Sequence, residues 1–119
     1  MSSQQSLTSI LGIAGSDPTV RRIAELSIDS PEVDLVASPN LYPLLTALVA
    51  AQRAATTILV LTPTGRSAEE LATSLGAFID PSKIAVFPSW ETLPHERLSP
   101  SSDTVGARMA ILQMSNECC

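Results

Sequence analysis

Thr57-Ile58-Leu59-Val60-Leu61-Thr62 is continuously apolar at its centre, and Pro63-Thr64-Gly65 follows it directly. A run of this kind reads as a strand buried on both faces of a parallel sheet. The turn after it opens a helical segment. There Ala68, Leu71, Ala72, Leu75, Phe78 and Ile79 line one face, Ser67 and Glu70 form a capping-box pattern, and Asp80-Pro81 is the stop. Upstream, Val33-Asp34-Leu35-Val36 reads as a short strand. Leu41, Leu44, Leu45, Leu48 and Val49 then recur at helical spacing towards Arg53, with Pro43 acceptable only in the first turn. Downstream, Ile84-Ala85-Val86-Phe87 reads as a third strand, and a last helix runs from about Asp103 to Met114. Strand–helix–strand–helix–strand in such short units implies parallel pairing with right-handed crossovers, so the expected fold class is α/β.

Towards the N-terminus, Asp17-Pro18 marks a helix start, with Asp17 as cap and Pro18 at the first helical position. Val20, Ile23 and Ala24 give that helix its apolar face, and Ser30-Pro31 ends it. Residues 1–16 read as a flexible lead-in with a short amphipathic piece at 7–11, residues 17–114 as one incomplete subdomain, and residues 115–119 as a tail. Three strands are few for such a sheet, so the chain reads as part of a domain.

Composition narrows the function classes. The 119 residues are 45% apolar but only 3% aromatic, so the core must be built from Leu, Ile, Val and Ala. Seven basic against twelve acidic residues give a net charge of −5 with no basic run, which argues against an autonomous grip on nucleic acid. The polar, uncharged start lacks the basic region and apolar core of a signal peptide, and the apolar runs fall short of a membrane span. The expectation is no membrane contact and a cytoplasmic compartment. Cys118 and Cys119 are adjacent, a poor arrangement for a disulfide or a metal, and read as an inert tail.

The strand-to-helix turns are where a phosphate-binding loop would sit. Such a loop needs glycines whose backbone N–H groups wrap the phosphates, a Lys, and a Ser or Thr for magnesium. Ala37-Ser38-Pro39-Asn40-Leu41-Tyr42-Pro43-Leu44 has neither Gly nor Lys, and its two prolines remove amide donors. Thr62-Pro63-Thr64-Gly65-Arg66-Ser67 is closer, and a helix N-terminus aided by Arg66 could attract a phosphate. A small stand-alone nucleotide- or phosphate-binding protein using residues 64–67 is therefore the alternative reading. The bland reading is a connection in which Gly65 adopts a conformation that other residues resist. His95 with Glu91, Glu96 and Ser99 has no partner set that would fix a catalytic geometry. No catalytic, metal or cofactor-binding residue is expected.

Most of the unusual chemistry lies in Phe87-Pro88-Ser89-Trp90-Glu91-Thr92-Leu93-Pro94-His95-Glu96-Arg97-Leu98-Ser99-Pro100, which holds the only Trp and the only His. Its prolines exclude helix and central strand. Trp90, flanked by apolar residues, is expected to pack on the sheet edge or the last helix and pin the loop. A fully buried ring there would make Trp90→Ala cost about 3–5 kcal/mol.

Trp90-Glu91-Thr92-Leu93-Pro94, followed by Ser99-Pro100, Asp103 and Arg108, resembles a motif of the bacterial transcription-repair coupling factors, in their N-terminal UvrB-like region. More loosely, residues 33–114 follow that family's first subdomain. The resemblance implies a partial RecA-like, helicase-type sheet with a degenerate phosphate-binding turn at 37–44. It implies a non-catalytic scaffold or interdomain role, with Trp90, Glu91, Thr92, Leu93, Pro94, Ser99, Pro100, Asp103 and Arg108 as possible interdomain contacts. The whole family protein is implied to be an ATP-dependent DNA translocase that displaces stalled RNA polymerase and recruits UvrA for nucleotide excision repair. Its ATP and magnesium are bound in motor domains outside this stretch, which itself needs no cofactor. The implied partners are the remainder of its own chain and, through the whole protein, UvrA, RNA polymerase and double-stranded DNA.

Overall fold

The computed structural model describes residues 7–53, 55–90 and 99–117. Its regular elements are helices: α1 Thr8–Ser16, α2 Pro18–Asp29, α3 Tyr42–Gln52, α4 Gly65–Leu75 and α5 Ser102–Glu117, with 3-10 turns at Pro39–Leu41 and Pro81–Lys83.

Each start has a local cause. Asp17 Oδ1 accepts from the Thr19 and Val20 backbone N–H groups at 2.8 and 3.2 Å, and Pro18 occupies the first turn of α2, where its missing N–H removes no helical bond. Pro43 is likewise confined to the first turn of α3. The cap of α4 is Thr64, three residues before the Ser67 expected from the capping-box pattern. Thr64 Oγ1 accepts from the Ser67 N–H at 3.1 Å, and Glu70 instead pairs with Arg66 at 2.9 Å on the exposed face. α4 ends at Leu75, short of Asp80-Pro81, and a series of turn hydrogen bonds through Ile79 carries the chain on.

Helix α3 is the hub, since α1, α2 and α4 all pack on it. The core is small: among the described residues only Ala47 and Leu48 of α3 and Leu75 of α4 are buried. A side-chain tie reinforces the α2–α3 pairing, with Arg53 Nη2 donating to the Ser27 carbonyl at 2.6 Å.

The parallel sheet expected from the apolar runs is not there. Among the described residues no segment pairs as a strand, so neither the α/β class nor a partial RecA-like arrangement describes this chain. Residues 33–36, 57–62 and 84–87 are irregular, without ladder hydrogen bonds to one another. The reading of 57–62 as buried on both faces is corrected too, because Leu59 and Leu61 are 80% and 86% exposed. Ile58 and Thr62 are half-buried, so the stretch keeps a two-residue alternation of exposure with an open side. The physical reason is that β-branched, apolar composition biases only the local backbone. A strand exists through hydrogen bonds to a second segment at a fixed register, and side-chain pattern does not supply that segment.

Two outcomes test this architecture. Leu48→Ala removes a large share of a three-residue core, and should cost about 2–5 kcal/mol in the unfolding free energy measured by denaturant titration. An unchanged midpoint would mean that α3 is not the hub. At the second 3-10 turn, the backbone N–H of Ser82, then its hydroxyl, and more weakly the charge of Lys83, hold the Asp80 carboxyl below its ordinary 3.8. A carboxyl depressed in the folded state adds stability above its unfolded value, and that stability is lost as pH falls through the lower folded value. A side-chain NMR titration of Asp80 should therefore have its midpoint below 3.8. A midpoint at or above that value would show that the turn is open in solution.

Candidate functional site

Phe87, Pro88 and Trp90 of the Trp-bearing stretch converge on Arg108. α5 begins where Ser101 places its Oγ to accept from the Thr104 backbone N–H at 3.3 Å, and Asp103 lies in the first turn, where its charge suits the helix dipole. A little over one turn further on, Arg108 faces the 87–90 strip. Its guanidinium carbon lies 4.0 Å from the ring centroid of Phe87 and 4.2 Å from that of Trp90, and Nη1 donates to the Pro88 carbonyl.

Each residue type suits its place. A guanidinium is planar and weakly hydrated, so it can lie over aromatic faces and still direct an N–H at a carbonyl. Pro88 cannot donate a backbone hydrogen bond, but its carbonyl remains free to accept this one. Among the described residues the recorded ion pairs are Arg22 with Glu25 at 3.7 Å and Arg66 with Glu70, so Arg108 is held by rings and a carbonyl instead of a carboxylate.

Of the residues singled out from the sequence, the structure brings Trp90 and Arg108 together. Ser99 and Pro100 lie just before α5 and Asp103 in its first turn. Glu91, Thr92, Leu93 and Pro94 fall outside the described residues, as do His95, Glu96 and Cys118-Cys119. Phe87 is the participant that sequence reasoning assigned elsewhere, to the end of a strand. The signal available was its spacing, three residues before Trp90 in the same proline-bounded strip. Trp90 does meet the last helix, but its residue is 50% exposed, so the ring is only partly withdrawn from water.

The turn at Thr64–Ser67 offers little to a phosphate. Thr64 Oγ1 already occupies the Ser67 N–H, and the Arg66 side chain points to Glu70. Gly65 is not there for its backbone freedom, because it sits in the first turn of α4 and nothing lies within 4 Å of where a Cβ would be. At 37–44 the chain forms a 3-10 turn and runs directly into α3. Among the described residues no group of His, Cys, Asp and Glu is placed to hold a metal, and no helix is long and apolar enough to cross a membrane.

Comparison with known proteins supports the resemblance that the Trp90 motif suggests. Proteins from Mycobacterium bovis and Mycobacterium tuberculosis are each 40% identical to this chain over 108 residues, a span covering 90% of it. Both are transcription-repair-coupling factors. The chain is similar to a segment of that family. A match over 90% of the chain necessarily takes in residues 87–103, so Trp90 through Asp103 lie inside the matched span. The chain spans only 8% of the length of either relative. No family model matches the chain, and no solved structure matches it.

Trp90→Ala removes one of the two rings over Arg108 from a half-exposed position. The cost should be about 1–2 kcal/mol, below that of a fully buried ring. Denaturant unfolding of the two proteins measures it. A loss above about 4 kcal/mol would place the indole in a true core.

Proposed function

We propose that this chain is a non-catalytic scaffold and interdomain module of a transcription-repair coupling factor. The observation that carries the reading is the similarity over nine-tenths of the chain to proteins of that name. Two features of the chain support the role. Large apolar side chains are left facing water outside the helical core, with Val36 fully exposed and Leu59 and Leu61 nearly so, as suits a segment that meets further polypeptide. The net charge of −5 gives the segment no electrostatic hold of its own on DNA.

In this reading the partners are the remainder of the same polypeptide and, through the whole protein, UvrA, RNA polymerase and double-stranded DNA. The ATP-driven translocation, and the magnesium it uses, belong to motor domains elsewhere in the protein. The segment contributes to excision repair by holding the module that recruits UvrA.

Deleting residues 1–114 from the full-length parent should therefore leave DNA-stimulated ATPase intact. Activity should rise if this module holds the motor in a closed state, because removing the contact shifts the population towards the open one. UvrA pull-down by the truncated protein should fall. Loss of ATPase together with unchanged UvrA binding would overturn this assignment.

A further inference from the structure

Helix α5 stands apart from the other four. Those pack through α3, whereas α5 makes no comparable contact with any helix among the described residues. Thr104, Arg108 and Ile111 are half-buried at i, i+4 and i+7, which is the face turned towards the rest of the chain. Val105, Met109 and Leu112 repeat the same spacing about a quarter-turn away and are exposed. Among the described residues, Arg108 reaches from this helix to the 87–90 strip, through both rings and the Pro88 carbonyl.

We propose that α5 is a conditionally docked helix with Arg108 as its latch. When the guanidinium closes on Phe87 and Trp90, α5 is fixed to the 87–90 strip. When it opens, α5 is released as a unit while α1 to α4 stay assembled on α3. The proposal concerns this chain's own conformations, so it stands or falls separately from the interdomain role.

The magnitudes favour separate opening. Two cation–π contacts at a partly exposed site together contribute a roughly five- to thirtyfold bias towards the closed state. A bias of that size can be reversed by one competing contact, unlike the burial that holds the hub. A free helix of 16 residues is marginal in water, so release and fraying of α5 are coupled. The latch is also selective for Arg. Lysine can approach a ring, but as a compact, hydrated charge it cannot present a planar face to two rings and still reach the carbonyl.

Trp90 is the only tryptophan, so its fluorescence reports the latch directly. The experiment compares the 119-residue chain with Arg108→Ala and Arg108→Lys, by acrylamide quenching of Trp90 and by amide hydrogen exchange. Wild type should show α5 amides exchanging at least tenfold faster than those of α3, as expected of a sub-global opening. Arg108→Ala should raise Trp90 quenching and speed α5 exchange a further roughly five- to thirtyfold, with α3 unchanged. Arg108→Lys should fall between the two. Three results would each overturn the latch. These are α3 and α5 amides losing protection together in Arg108→Ala, a wild-type Trp90 already quenched as freely as in the Ala variant, and an Arg108→Lys protein indistinguishable from wild type in both readouts.

Discussion

Burial along α3 is the constraint that the packed part of this structure depends on. A chain with so few aromatic residues must build its core from aliphatic side chains, and each contributes only about 1.5–3 kcal/mol when fully withdrawn from water. Ala47 and Leu48 come nearest to that state on α3, and Leu75 on α4. Three helices meet α3, and its sequence is apolar nearly all round (Leu44, Leu45, Ala47, Leu48, Val49, Ala50) instead of along one stripe. The Arg53–Ser27 hydrogen bond adds direction to a contact that hydrophobic burial leaves non-directional. The 33–36, 57–62 and 84–87 stretches lie outside this core.

That distinction explains which parts of the fold could be read from residues. Asp17-Pro18 encodes the start of α2 within a few positions, because a cap and its N–H donors are neighbours in sequence. The Leu spacing of α3 was legible for the same reason. The capping-box pattern put the cap of α4 at Ser67, whereas Thr64 is the cap and Glu70 pairs with Arg66 instead of reaching back to the helix start. The sheet failed at a different level. Residues 57–62 have the composition of a strand, but pairing is a property of two segments, and local preference says nothing about whether a second one arrives. Parallel pairing in particular requires closing a long loop before any hydrogen bond forms.

The candidate site was legible as identities and not as a contact. Trp90 and Arg108 were picked out by a family motif, which records that residues recur without saying that they touch. Their meeting depends on helical geometry, which turns Arg108 of α5 back towards a strip 20 residues earlier in the chain. Phe87 was hidden by its surroundings: an aromatic after Ile84, Ala85 and Val86 looks like the end of an apolar run. Its role as one of the two rings over Arg108 follows from Pro88, which prevents the run from continuing as paired strand and leaves Phe87 and Trp90 to find a partner other than a sheet.

The core and the clamp are also different kinds of interaction. A buried leucine is held by contacts on all sides, so it leaves its site only when the surrounding helices separate. The Arg108 guanidinium is held by two ring faces and one carbonyl, and Trp90 remains half in water. It can therefore withdraw without opening a cavity. Water can hydrate the guanidinium and the exposed part of the indole, which limits the free energy lost when this contact opens. Among the described residues, Arg108 is the cation that ties α5 to this strip, and a tie of this kind orders the helix while leaving it able to give up the surface it defines. In a segment similar to part of a much longer protein, that division lets α5 change its contacts while α3 keeps the rest of the helices in place.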